Sequence, residues 1–274
     1  MIPKDNITAW RAMAPWLLDA HVEQDLVISR AIVELFRVPE LASSLAFRGG
    51  TALYKLYLTP PARYSEDIDL VQVQPEPIGE TLDRARAVLD PWLGMPRRQL
   101  KEGRVNLTYR FESEDAPPLK LRLKIEINTR EHFTQLGVAH VPFEVENPWF
   151  SGAADVATYV LDELLSTKLR ALYQRKKGRD LFDIWHAVDT GRANPPVLLA
   201  CFERYLIEEG RTVTRAQFEE NLAWKRAQPD FRDDVRPLLR RGLSWDFDVA
   251  MDTVIESLVA QLPGDPWKGQ AEKK

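Results

Sequence analysis

The stretch FRGGTALYKLYLTPPARYSEDIDL, residues 47–70, places a double glycine shortly before two aspartates that stand one residue apart. TALYKLYL, which follows Gly49 and Gly50, is predicted to be a helix that ends at the double proline 60–61. DIDLVQV, residues 67–73, alternates in polarity and is predicted to be a strand. Because successive side chains of a strand point to opposite faces, Asp67 and Asp69 are predicted to share one face.

These two carboxylates predict a site for a divalent cation. Carboxylates held so close together repel each other unless a cation lies between them. Oxygen ligands suit Mg²⁺, which also accepts substrate phosphates as ligands. Glu126 lies on the polar face of a second alternating segment, LKLRLKIEIN (residues 119–128), and could complete a cluster of three carboxylates. Two Mg²⁺ ions bridged by Asp67, Asp69 and Glu126 would support in-line displacement at phosphorus.

Gly49 and Gly50 predict a phosphate site next to the carboxylates. Backbone N–H groups at a glycine turn that leads into a helix attract phosphate, and Thr51 can add a hydroxyl. Taken alone, the glycines could serve only the backbone geometry of a turn. Their position just before the Asp67-x-Asp69 strand favours the phosphate interpretation.

Composition limits the class of protein. The chain has 274 residues, of which 45% are hydrophobic and 28% charged, as in ordinary globular proteins. No apolar run approaches the roughly 20 residues of a membrane span. A lone cysteine, Cys201, rules out an internal disulfide and indicates the cytoplasm, and four scattered histidines make a zinc site unexpected. The net charge of −4 argues against nucleic-acid binding by an overall positive charge.

The order of predicted elements indicates an α+β fold. Helices are predicted within residues 8–38 and at 79–92, strands at 105–113, 119–128 and 141–147, and a series of helices from 155 to 261, including 231–241. The predicted architecture is a small mixed β-sheet with N-terminal helices and a helical C-terminal half. The predicted domains are residues 1–150 and residues 151–274, with a cleft between them.

The combination EQDLVISRAIVELF…LAFRGGTALYKLY…RYSEDIDL resembles the AbiEii family of bacterial toxins, within the DNA polymerase beta-like nucleotidyltransferase superfamily. Gly49, Gly50, Asp67, Asp69 and Glu126 match the superfamily pattern of a glycine turn, an Asp-x-Asp strand and a later carboxylate. A second family motif is matched by LLSTKLRALYQRKKGRDLFDIWHA, residues 164–187. The resemblance implies that residues 1–150 form the nucleotidyltransferase core and that the C-terminal lobe completes the cleft.

The second motif adds basic residues to the expected site. Lys168 lies two helical turns before Arg175 and is expected to reach the phosphates of a bound nucleotide. Asp180 is expected either to organise phosphate or to form a structural ion pair. The full set assigned to the nucleotide is Arg48, Gly49, Gly50, Thr51, Ser65, Lys168 and Asp180. The residues assigned to RNA are Arg170, Arg175, Lys176, Lys177 and Arg179.

The resemblance implies a Mg²⁺-dependent enzyme that transfers NMP from an NTP to an acceptor and releases pyrophosphate. Asp67, Asp69 and Glu126 would hold two Mg²⁺ ions, and Lys168 would act with them in catalysis. The expected acceptor is RNA, in particular a tRNA 3′ end, and an antitoxin partner and a role in phage defence are expected. Two alternatives remain open: transfer to a small molecule such as an antibiotic, and nucleotide binding without transfer that acts through a partner protein.

Overall fold

The structure of the protein, a computed structural model, describes residues 2–269, and these residues fall into two compact units. The first unit lies within Met1–Val160 and Leu239–Gly242, and the second within Leu161–Leu238 and Leu243–Lys274. In the part of the chain that the structure describes, no helix has the length and apolar character needed to cross a membrane.

The first unit is built around one mixed sheet of seven strands. Its helices are α1 (Lys4–Trp10), α2 (Asp19–Phe36), α3 (Pro39–Ser44), α4 (Gly49–Ala52), which continues as a π-helix (Leu53–Tyr57), and α5 (Gly79–Leu93). Its strands are β1 (Leu45–Arg48), β2 (Asp67–Gln72), β3 (Arg97–Lys101), β4 (Arg104–Glu112), β5 (Lys120–Asn128), β6 (Val138–Asn147) and β7 (Phe150–Tyr159). The strand order is β3-β4-β5-β2-β1-β7-β6.

Strand β2 lies near the middle of this sheet, antiparallel to β1 and parallel to β5. Ile68 and Leu70 are buried, whereas Asp67 and Asp69 are half-exposed, as expected for alternation along a strand. Helix α2 packs on β5 and β7 and is buried over most of its length. One side of the sheet is therefore core, and the other carries polar groups at the centre.

The segment that precedes α2 is tied to the core by a buried carboxylate. Asp25 accepts hydrogen bonds from the indoles of Trp10, at 2.8 Å, and Trp16, at 3.1 Å. The ammonium of Lys55, on the π-helix, lies 2.5 Å from the same carboxylate. Asp25 therefore joins the N-terminal residues to the helix that follows the double glycine.

A short C-terminal segment also belongs to the first unit. The backbone N–H of Arg240 donates to the carbonyl of Ala62 at 2.9 Å, and Leu239 forms an isolated bridge with Arg63. This segment holds the loop that leads from the π-helix into β2.

The second unit is helical. It contains α6 (Leu161–Gln174), α7 (Gly178–Asp189), α8 (Pro195–Glu208), α9 (Arg215–Arg226), α10 (Pro229–Asp233) and α11 (Phe247–Ser257), with 3₁₀ turns at Arg236–Leu238 and Val259–Gln261. Lys225 is buried, and its ammonium donates to the carbonyls of Leu172 and Tyr173 at the C-terminal end of α6. Those carbonyls have no partner within their own helix, so Lys225 caps α6 with a positive charge.

The predicted fold class is confirmed, and several local predictions are wrong. The helix predicted over residues 8–38 is interrupted around Pro15, which cannot continue a helix. Residues 150–159 form β7, so the helix predicted from residue 155 begins at Leu161. The predicted domain boundary at residue 150 falls at the start of β7, and the first unit continues to Val160. The helix predicted at 231–241 is replaced by the end of α10 and a 3₁₀ turn.

Three strands escaped prediction, each for its own reason. Strand β1 has only four residues. Strand β3 consists of RRQLK and is almost wholly exposed, so it has no apolar alternation. Strand β7 has three alanines and one glycine among its ten residues, and its ten ladder pairs with β6 override their low strand preference.

Candidate active site

The double glycine forms a turn that lies against the carboxylate of Asp69. Gly49 has φ +82°, a conformation that L-residues with a side chain rarely adopt. A Cβ atom on Gly49 would stand 2.1 Å from Oδ2 of Asp69, and one on Gly50 would stand 2.5 Å from Nη2 of Arg63. Gly49 therefore requires glycine both for its positive φ and for its approach to Asp69, whereas a side chain at Gly50 would have to displace the guanidinium of Arg63.

Thr51 links the turn to the start of β2. Its hydroxyl donates to the carbonyl of Asp67 at 2.5 Å and lies 2.9 Å from the hydroxyl of Ser65. Thr51 is buried and Ser65 is half-exposed. In this arrangement Thr51 fixes the strand on which the aspartates lie, and Ser65 is the more accessible of the two hydroxyls.

Strand register brings the three predicted carboxylates to one region of the sheet. On the parallel ladder between β2 and β5, Asp69 is paired with Glu126 and Asp67 with Lys124. On the antiparallel ladder between β1 and β2, Arg48 is paired with Asp69. All five side chains are partly buried.

Two cations engage the carboxylate of Glu126. The ammonium of Lys124 lies 2.9 Å from Oε2 of Glu126, and the guanidinium of Arg104 lies 3.3 Å from Oε1. Burial raises the pKa of Glu126, but these two cations outweigh it and leave the pKa below its usual value. Within residues 2–269, no three His, Cys, Asp or Glu side chains are grouped so that they could hold a metal ion. The assignment of Glu126 as a third metal ligand stays a prediction.

The Asp67–Asp69 pair has the chemistry of a divalent cation site. Oδ1 of Asp67 is buried and has no hydrogen-bond partner among the described residues. Burial raises the pKa of Asp67 to about 6; Lys124 opposes this rise, and the negative charges of Asp69 and Glu66 add to it. A cation between the two carboxylates would supply the missing partner and remove the repulsion. These two residues fit Mg²⁺ as ligands.

Arg48, predicted to bind the nucleotide, pairs with a carboxylate outside the predicted set. Its guanidinium lies 2.6 Å from Oε2 of Glu131, and Asn128 donates to the same oxygen at 3.3 Å. Arg48 is largely enclosed, so it forms part of the wall beside Asp69.

The predicted catalytic lysine lies in the second unit and is buried there. Lys168 pairs with Asp180 at 3.2 Å and with Asp183 at 3.1 Å, and both of these side chains are fully buried. Arg175 makes a two-pronged contact with Asp180 at 2.7 and 2.8 Å. Burial raises the pKa of Asp180, but Lys168 and Arg175 lower it below its usual value. Of the two roles considered for Asp180, the observed contacts correspond to the structural ion pair.

Four of the five basic residues predicted to bind RNA are paired with acids from distant parts of the sequence. Arg170 is buried, 2.8 Å from Glu209, and packs on the ring of Tyr205. The other pairs are Lys176 with Asp230 at 3.4 Å, Lys177 with Asp234 at 3.7 Å and Arg179 with Asp234 at 3.7 Å. Arg170 is thus enclosed by protein, whereas Arg175, Lys177 and Arg179 keep substantial exposure.

Sequence reasoning missed four charged residues that shape the region around Asp67 and Asp69. They are Arg63, Arg104, Lys124 and Glu131. For Lys124 the signal was available, because it stands two residues before Glu126 and shares its face. Arg63 is fully buried beneath the glycine turn and donates to the carbonyl of Tyr64 at 3.0 Å, a position that no sequence pattern indicates.

A family model described as "Nucleotidyl transferase AbiEii toxin, Type IV TA system" matches residues 30–253, which is most of the chain. No curated protein sequence matches.

Several solved structures share the fold at low sequence identity. MenT4, a nucleotidyltransferase toxin from Mycobacterium tuberculosis, superposes with a TM-score of 0.70 at 17% identity, over 97% of this chain and 92% of that one. A putative nucleotidyltransferase from Helicobacter pylori gives 0.53 at 17% identity, over 88% and 94%. JHP933 from the same organism gives 0.50 at 16%, over 88% and 91%. These likenesses confirm the fold predicted for the chain.

The glycine turn can be tested by comparing two glycines that share a positive φ. Gly94 has φ +78°, but a Cβ there would meet nothing within 4 Å. Gly94→Ala should therefore cost only the backbone strain, about 1–3 kcal/mol of unfolding free energy. Gly49→Ala should cost a further 1–3 kcal/mol, roughly, because its Cβ collides with Asp69. Urea denaturation of both variants measures the difference. Equal losses of unfolding free energy in the two variants would show that a side chain at position 49 does not collide with Asp69.

The raised pKa of Asp67 predicts a pH-dependent effect of Asp67→Asn in metal-free protein. A carboxyl whose pKa is higher in the folded state destabilises the fold as it ionises, from about pH 4 upward, and the penalty is complete above about pH 6. Asp67→Asn should thus be more stable than wild type at pH 7.5 by about 1–2 kcal/mol, a figure reduced because solvent reaches a third of the side chain. At about pH 3.5 the difference should vanish. Denaturation with a chelator present, at both pH values, provides the measurement. A stability difference that does not change with pH would contradict it.

The buried ion pairs of Lys168 predict that this residue stabilises the fold, in addition to any contact with phosphate. Lys168→Met leaves the fully buried Asp183 and Asp180 without their shared ammonium, which should cost about 3–5 kcal/mol of unfolding free energy. Lys176→Met, which removes a charge paired with the exposed Asp230, should change stability by less than about 1 kcal/mol. Urea denaturation of the two variants measures both changes in the free energy of unfolding. If both are equally stable, the buried pairing has no structural role.

Proposed function

The chain belongs to the AbiEii family of nucleotidyltransferase toxins of type IV toxin–antitoxin systems, and we propose that it transfers NMP from an NTP to an RNA acceptor. The observation that carries this proposal is the contact between the Gly49 turn and Asp69, with Asp67 on the same face. A phosphate-binding turn and two cation-binding carboxylates at one place are what phosphoryl transfer requires.

The residues of the first unit have distinct parts in this proposal. The backbone N–H groups of Gly50 and Thr51 are proposed to bind the triphosphate, with help from the Ser65 hydroxyl. Asp67 and Asp69 are proposed to hold Mg²⁺, which when bound would polarise the phosphoryl group and favour ionisation of the acceptor hydroxyl. Arg48, fixed by Glu131, is proposed to keep a positive charge beside Asp69.

Two Mg²⁺ ions, as expected from the sequence, would require Glu126 as a shared ligand. That arrangement needs the Glu126 carboxylate to leave Lys124 and Arg104, with which it is paired. The proposal therefore assigns the cation to Asp67 and Asp69 in the first place.

The proposed acceptor is RNA, with a tRNA 3′ end as the specific candidate. The support is membership of a toxin family together with the exposed cations Arg175, Lys177 and Arg179 in the second unit. RNA phosphates would replace Asp234 as the partner of Lys177 and Arg179. Arg170 is not part of this proposal, because its guanidinium is buried against Tyr205. Lys168 and Asp180 enter it as the buried pair that holds Arg175 in place.

The biological setting follows from the family. A type IV toxin–antitoxin family implies an antitoxin partner and an NTP substrate. A role in phage defence and action in the cytoplasm are part of the proposal.

Incubation of the protein with each labelled NTP, Mg²⁺ and total RNA tests the proposed transfer. Label should enter RNA of discrete size, and Asp69→Asn should lower the rate at least about 100-fold, because the site loses a cation ligand needed in the transition state. Asp83→Asn, which removes an exposed carboxylate on α5 of the same unit, should leave the rate unchanged.

Two results would redirect the proposal. Label recovered only in small molecules would make an antibiotic-type acceptor the better candidate. NTP binding without release of pyrophosphate, in the presence of RNA, would favour a nucleotide-binding protein that acts through a partner.

A further inference from the structure

Lys124 occupies the space between two of the predicted metal ligands. Its ammonium lies 2.9 Å from Oε2 of Glu126 and 3.8 Å from Oδ2 of Asp67. Register fixes this position, because Lys124 stands directly opposite Asp67 on the parallel ladder, and Glu126 stands opposite Asp69. The register of two central strands therefore places Lys124 beside the carboxylates, and ion pairs with Glu126 and Asp67 position its ammonium there.

The two carboxylates next to Lys124 differ in how fully their charges are paired. Glu126 has two cations at ion-pair distance, Lys124 and Arg104. Asp67 has one buried oxygen without a hydrogen-bond partner in the described chain, and its other oxygen faces Lys124 at the longer distance. Asp67 and Asp69 together carry two negative charges, which a single divalent cation neutralises.

A second protein-bound ion shared by Asp67 and Glu126 would have to occupy the space that Lys124 fills. Two cations cannot share that space, because an ammonium repels a divalent ion a few ångströms away. An ammonium is also a cation that the chain always carries, whereas a metal ion must be captured from solution.

We propose that Lys124 is a resident counter-cation that takes the place of a second metal ion, so that the protein alone binds one divalent cation, at Asp67 and Asp69, with an affinity set by Lys124. The inference rests on the proposed function in one respect, that these two aspartates are the cation ligands. A further divalent ion would have to enter with the phosphates of the NTP.

Titration with Mn²⁺, followed by the electron paramagnetic resonance signal of the free ion, tests this without any turnover. Wild type should bind one Mn²⁺ per chain. Lys124→Met, which keeps the length of the side chain and removes its charge, should bind the first Mn²⁺ about tenfold more tightly or accept a second one. Lys124→Arg, which keeps the charge, should bind one Mn²⁺.

Lys120→Met is the matched control. Lys120 lies on the same strand and the same face as Lys124, but it is exposed and stands opposite Glu112. Its loss removes the same net charge from the chain and should change Mn²⁺ affinity by less than about threefold. A large effect of Lys120→Met would mean that overall charge governs binding, which would overturn the inference.

Three other results would also overturn it: two Mn²⁺ ions bound by wild type, no Mn²⁺ bound by wild type, or the same binding by Lys124→Met and wild type. The number of Mn²⁺ ions bound by wild type is measured without any variant, so the inference can be tested even if Lys124→Met fails to fold. The proposed function is tested separately by labelled transfer. If wild type binds one Mn²⁺ but transfers no label, the proposed function is wrong and the role of Lys124 stands. If wild type transfers label but binds two Mn²⁺, the proposed role of Lys124 is wrong and the function stands.

Discussion

The register of the parallel ladder between β2 and β5 is the constraint on which the candidate site depends. It places Asp69 opposite Glu126 and Asp67 opposite Lys124. A slip of β2 by one residue would turn Asp67 and Asp69 away from Lys124 and Glu126, to the face of the sheet where Ile68 and Leu70 are buried. The hydrophobic core thus fixes which polar groups meet, and the site follows from the packing on the far side of the sheet.

Much of this arrangement could be predicted because it depends on periodicity alone. Alternation along DIDLVQV placed Asp67 and Asp69 on one face, and alternation along LKLRLKIEIN placed Glu126 on the polar face of a second strand. The fold class followed from the order of the elements. Gly49 and Gly50 were expected to bind phosphate, which stays a prediction, and the structure adds a steric role, the close approach of the turn to Asp69 and Arg63.

The partners of the charged residues could not be predicted, because they come from distant parts of the chain. The basic run from Arg170 to Arg179 contains no acid of its own, yet Glu209, Asp230 and Asp234 from distant parts of the chain pair with it in the folded unit. Lys168 lies between two buried aspartates, a pairing that the sequence did not indicate, and its expected contact with phosphate stays a prediction. A charge pattern shows which groups are available, whereas burial decides which of them face solvent.

The return of Leu239–Gly242 to the first unit affects how the chain can be divided. The second unit is not a simple C-terminal extension, because the chain passes from one unit to the other at three points. A fragment that stops at Val160 retains all seven strands but loses the backbone bond from Arg240 to Ala62. That bond supports the loop that carries Arg63 and Ser65 into β2. Expression of the sheet unit by itself would therefore require residues 239–242 to be rejoined to it, for example through a short linker from Val160.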